Sequence, residues 1–101
     1  MSDPDKVIDN TAESKFELAA DDDARLEYRR RADRLVLVHT EVPETLEGHG
    51  IGGKLVQAAV DRAIRDGLTV VPLCPFARAW LERHPEAASI VTIDWGPPPD
   101  D

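Results

Sequence analysis

The chain has 101 residues, 42% of them hydrophobic, with a formal net charge of −8 at pH 7 and a pI near 4.7. That length suits one domain, burying roughly 60–68% of the surface its unfolded chain would expose. The acidity argues against non-specific nucleic-acid binding and anionic membrane surfaces, the apolar runs fall far short of the ~20 residues of a membrane span, and the single Cys74 cannot form an internal disulfide, so a cytoplasmic protein is expected.

Residues 1–14, MSDPDKVIDNTAES, are largely polar and carry no signal-peptide pattern. They read as a partly ordered N-terminal segment with room for a short strand around Val7 and Ile8. KFELAA then alternates Phe16 and Leu18 with polar neighbours, and the DDD at 21–23 reads as a hairpin turn. In ARLEYRRRA, Leu26 and Tyr28 point one way while Arg25, Glu27 and Arg29 point the other. Arg29 to Arg31 are most simply the solvated end of a strand. Asp33 opens a second turn, and RLVLVHTEV is the strongest strand in the chain. Its uninterrupted alternation puts Leu35, Leu37, His39 and Glu41 on one face, with Val36, Val38, Thr40 and Val42 on the other. Short turns between consecutive strands predict an antiparallel meander.

Pro43 ends that strand, and LEGHGIGG at 46–53 leads into GGKLVQAAVDRAIRDG. There Leu55, Val56, Ala59, Val60, Ala63 and Ile64 form one apolar helical stripe. Asp61, Arg62 and Arg65 face water, and Gly67 stands where a C-cap belongs. LTVVPLC is a buried strand. Pro75 opens a second helix, FARAWLERH, whose Phe76 and Trp80 read as core, and Pro85 closes it. SIVTIDW either adds a strand or packs on the sheet. The domain runs over 15–95, with 96–101 as a tail. The order of elements predicts an α+β fold with a mostly antiparallel sheet, a central helix after the glycine loop and a second short helix.

Three explanations compete for the glycines at 48, 50, 52 and 53. Gly48, Gly50 and Gly53 match the spacing of a dinucleotide-binding turn, but the next strand ends in Leu73-Cys74, not in Asp or Glu. A flexible linker or cap would not need small residues at several successive places. An anion cradle would: backbone N–H groups unobstructed by Cβ atoms, at the positive end of a helix dipole, can hold a pyrophosphate even in an acidic protein. Lys54 on the first turn is a candidate helper.

The stretch from LVLVHTEVP through GHGIGG and VPLCPF to the helix ending in HP resembles the GNAT superfamily of N-acetyltransferases, in its minimal single-domain branch. The likeness covers roughly residues 15 to 86. It implies that Glu47-Gly48-His49-Gly50-Ile51-Gly52 wraps the pyrophosphate of acetyl-coenzyme A, followed by Gly53 and Lys54. Glu47 stands where the superfamily usually has Gln or Arg. It also implies that Thr40, Glu41 and Val42 bond the pantetheine arm through their backbone, in a slot where this strand splays from the one carrying Val70 to Leu73. His39 and Cys74 would be the functional pair.

The chemistry asks for a base, because an amine of pKa ~10.4 is neutral in only roughly one molecule in two thousand at pH 7. His39 and Glu41 are the candidates, against the simpler readings of a core histidine and a solvated carboxylate. Cys74 is either a small inert core residue or a nucleophile that takes the acetyl group as a thioester. His49 reads as an exposed loop residue and His84 as a helix C-terminal one. No Cys/His cluster has metal-ligand spacing. The resemblance thus implies acetyl transfer to an amine acceptor by a monomer or homodimer. A coenzyme-A-binding module with little catalysis and an interaction domain with a vestigial loop stand as alternatives.

Overall fold

In the computed structural model, which describes residues 6–96, five strands form one sheet in the order of the chain. They are β1 (Val7–Asn10), β2 (Lys15–Leu18), β3 (Asp21–Arg31), β4 (Arg34–Glu41) and β5 (Thr69–Pro72). The first four pair antiparallel as the expected meander, and β5 joins β4 in parallel. That one parallel pairing requires a crossover, which α1 (Ile51–Asp66) supplies. α2 (Pro75–Arg83) and a short α3 (Pro85–Ala88) follow β5. Residues 1–5 of the N-terminal segment and 97–101 of the tail lie outside the described residues.

The alternating apolar residues bury one face of the sheet. Phe16, Leu18, Leu26, Tyr28, Leu35 and Leu37 meet Leu55, Val56, Ala59 and Val60 of α1 in one core. Removing each such leucine from water contributes about 1.5–3 kcal/mol. Ile64, expected on the buried stripe, is exposed, and Arg62, expected in water, is half-buried and tied to β1 and β3. Gly67 caps α1 in the left-handed conformation, as its position predicts.

The Asp21–Asp23 run is not the hairpin turn. Ala19 and Ala20 make the turn, and the three aspartates already belong to β3. The C-terminal segment adds a single parallel bridge, Val70 to Ile93, on the far side of β5. Arg34 pins it through Asp94 at 2.6 Å, and that ion pair with the Gly96 amide holds the Asp94 carboxyl below the usual carboxylate range.

One irregularity decides what the site looks like. The β3–β4 register runs Arg29↔Val36 and Tyr28↔Leu37, then jumps to Glu27↔His39 and Leu26↔Thr40. Val38 is therefore an extra, unpaired residue, a β-bulge. One inserted residue exchanges the two faces of everything after it. His39 and Glu41 leave the side of Leu35 and Leu37 and stand exposed beside Glu27 and Arg25, whereas Thr40 joins Leu26 on the helix side. The expected grouping of His39 and Glu41 with the core leucines is corrected by this bulge.

Candidate functional site

The β4–β5 ladder stops at Leu37↔Pro72. The amides of Leu73 and Cys74 both donate to the Leu37 carbonyl, at 3.0 and 2.9 Å, and the strands part where the bulge begins. Past that point the end of β4 forms one wall of a cleft of about 880 Å3, lined by Thr40, Glu41 and Val42. The strands part where the family resemblance implies a splay.

The head of α1 makes the floor. A single 3-10 turn, Glu44–Leu46, brings the chain round from Pro43, and Leu46, Glu47 and Gly48 line the cleft beside it. Gly48 and Gly50 take φ of +84° and +71°, the left-handed region that only glycine enters without strain. Gly50 is the N-cap, and no side chain caps the helix. The amides of the first turn, at Ile51, Gly52 and Gly53, have no acceptor within an α-helix by its geometry, so they meet the cleft as donors at the positive end of the dipole. Lys54 lines the same space.

Gly52 and Gly53 serve a different purpose from Gly48 and Gly50. A Cβ on Gly52 would stand 2.5 Å from Phe76 Cζ, and one on Gly53 would stand 2.6 Å from Trp80 Nε1. Two α2 side chains therefore lie directly over the first turn of α1, and that approach needs glycine beneath. Phe76, Trp80 and His84, at i, i+4 and i+8, form the second wall. Phe76 is exposed, which corrects its reading as core, whereas Trp80 is half-buried, packs against the core and also lines the cleft. His84 turns its Nδ1 to the Trp80 carbonyl at 2.7 Å, and the two rings stack at 3.9 Å and 12°. Nothing in the sequence but the helical spacing of these three rings signalled their role, and the same spacing describes a core stripe equally well.

The remaining expected residues divide. Cys74 is buried at the N-cap of α2, with Sγ 3.2 Å from Thr40 Oγ1, and does not line the cleft. His39 lies on the outer face, its Nε2 2.8 Å from Glu41 Oε2, so the bulge separates it from the side that holds Thr40 and Cys74. Glu41 alone of that pair reaches the cleft. His49 is exposed in the loop and does not line it.

A donor-lined helix head, an unpaired strand edge and an aromatic wall suit an elongated ligand with an anionic middle. Among the described residues no helix is long and apolar enough to cross a membrane. A family model described as GCN5-related N-acetyltransferase matches residues 15–90. A solution NMR structure of a GCN5-like candidate N-acetyltransferase from Staphylococcus aureus is similar in fold, with a TM-score of 0.70 and 25% identity over 93% of this chain and 95% of that one.

Proposed function

We propose, for a chain that belongs to the GCN5-related N-acetyltransferase family, that the cleft at the head of α1 holds acetyl-coenzyme A for transfer of its acetyl group to an amine. The observation that carries this reading is the uncapped start of α1 at a left-handed glycine, facing the unpaired end of β4. The donors fit the group: Ile51, Gly52 and Gly53 offer amides to a pyrophosphate, and the edge of β4 at Thr40 to Val42 is free to pair with an amide-bearing arm. The thioester supplies an activated acyl carbon. Glu47, exposed at the rim, has room to turn its carboxylate to solvent.

Transfer is direct. The amine nitrogen attacks the thioester carbonyl carbon, the C–S bond breaks, and the thiolate leaves to take a proton from solvent. The ammonium first gives a proton to Glu41, the one member of the pair that lines the cleft, and the nitrogen sheds its second proton to solvent after attack. His39, on the outer face, donates Nε2–H to Glu41 Oε2 and holds that carboxylate in place. The burial of Cys74 and its bond to Thr40 speak against an acetyl-thioester on that sulfur.

A second reading, a coenzyme-A-binding module with little turnover, draws on one observation: neither His39 nor Cys74 lines the cleft. Acetyl transfer measured on a set of small and peptidyl amines separates the two. The expected result is turnover that falls about 10²–10⁴-fold in Glu41→Gln with acetyl-coenzyme A affinity unchanged, while Cys74→Ser keeps its rate. Tight binding without turnover on any amine would contradict the enzymatic role.

A further inference from the structure

We infer that the acceptor is an amine that also carries a carboxylate several carbons away, and that Arg29, in a second cavity on the outer face of the sheet, reads that carboxylate. The inference rests on the proposed acetyl transfer and names its acceptor class, which the cleft at the head of α1 leaves open.

The second cavity, of about 510 Å3, is lined by Ser14, Lys15, Arg25, Glu27, Arg29 and Val38, among others. Lys15, Arg25, Glu27 and Arg29 alternate along β2 and β3 with the core residues Phe16, Leu26 and Tyr28, so they share the face away from α1. Val38, the bulged residue, adds an exposed apolar side chain.

Cavity and cleft adjoin at four registered charges. Arg25 stands opposite Glu41 across β3 and β4, and Glu27 stands opposite His39. Arg25 bonds Glu27 at 2.9 Å, and His39 bonds Glu41 at 2.8 Å. Glu41, which receives the proton of the acceptor at the cleft, is therefore one registered pair from the cavity wall.

One cation in the cavity stands apart. Lys15 lies between Glu13 and Glu17, at 3.2 and 3.3 Å, and Arg25 is held by Glu27. Among the described residues no carboxylate pairs with Arg29, which is exposed and lines the cavity. Its planar guanidinium can give a carboxylate two parallel N–H bonds.

The spacing sets the length of the acceptor. Arg25 and Arg29 are four residues apart on β3, roughly 13 Å at ~3.3 Å per residue, and Glu41 is level with Arg25. The side chains of Glu41 and Arg29 cover part of that span. An α-amino acid, whose two groups share one carbon, is too short to meet both. A chain of several methylenes reaches, and Val38 gives it an apolar seat. Its nitrogen takes the acetyl group by the direct route: the N–C bond forms as the C–S bond breaks, the protons go to Glu41 and solvent, and an acetamido acid leaves.

The test measures acetyl transfer by the intact protein to ε-aminocaproate, to hexylamine, which lacks the carboxylate, and to glycine, which has it too near. The kcat/KM for ε-aminocaproate should exceed both others about tenfold or more. Arg29→Gln, at an exposed strand position, should bring ε-aminocaproate to the level of hexylamine. In Arg29→Glu the preferred acceptor should become hexamethylenediamine, a reversal that a merely structural arginine would not produce. A peptide ending in lysine carries the same two groups. Acetylation of it as fast as ε-aminocaproate would support a peptide end as the source of the acceptor, and slower acetylation a free acid. Hexylamine or glycine serving as well as ε-aminocaproate, or an Arg29→Gln variant that keeps the preference, would overturn the inference while leaving acetyl transfer in place. Binding of acetyl-coenzyme A with no turnover on any of these amines would overturn the enzymatic reading and the inference together.

Discussion

At the scale of single residues, one polar group outside the cleft lining ties three elements together. Tyr28 on β3 donates its hydroxyl proton to Asp9 of β1 at 2.6 Å, and Arg62 of α1 donates to both, at 2.6 and 2.9 Å. Burial, and then the bond to the Asp9 carboxylate, push the Tyr28 phenol from 10.0 up to about 12. The fold thus favours the neutral phenol. Its contribution is full below about pH 10, where the unfolded chain would begin to ionise it, and is lost as the pH rises through about 12. Tyr28→Phe should cost about 1.5 kcal/mol at pH 8, because Arg62 and Asp9 still hold one another. The urea midpoints of the two proteins should converge toward pH 12, and a gap that stays constant would show that the phenol does not titrate with folding. The sequence reads Tyr28 correctly as inward, but Arg62 as a solvent-facing helix residue. An arginine at the edge of an apolar stripe looks the same whether or not an aspartate waits on a strand fifty residues earlier.

Between residues and the whole fold, two local devices shape the cleft. The strands, both main helices and the meander were legible, because alternation and helical spacing report directly which side of an element is buried. The bulge at Val38 was not, since RLVLVHTEV alternates without a break and an inserted residue leaves no mark on a period of two. The glycines were legible as a group but not in their division of labour. Gly48 and Gly50 serve the backbone turn, whereas Gly52 and Gly53 serve α2, and only the packed helices show the difference. Gly53→Ala should therefore act on Trp80. The new methyl would displace the indole, break its stack on His84 and shift the Trp80 emission in a Trp95→Phe background. The loss of ring contact is offset in part by the roughly 1 kcal/mol that alanine gains over glycine in a helix, so stability should change little. An unchanged emission spectrum would contradict the close approach.

Across the whole molecule, charge and site pull in opposite directions. On the proposed function, a chain of net charge −8 would repel the polyanionic acyl donor over the long range, and the donors and Lys54 at the head of α1 would attract it locally. Salt shortens the reach of the repulsion, from a Debye length of about 30 Å at 0.01 M to about 8 Å at 0.15 M. Stopped-flow association with coenzyme A should accelerate over that range, and a rate that falls with salt would mean the local field governs encounter instead. The measurement that bears most directly on the cradle is calorimetric titration of acetyl-coenzyme A into the protein and its Gly50→Val variant. A side chain at Gly50 meets nothing within 4 Å, so the substitution acts through the left-handed φ of +71° alone. That conformation costs a non-glycine residue about 1–2 kcal/mol, more for a β-branched one, which should turn the loop and weaken binding about tenfold or more in a still-folded protein. Equal affinity in the two proteins, or no heat and no thermal stabilisation of the parent, would contradict the account.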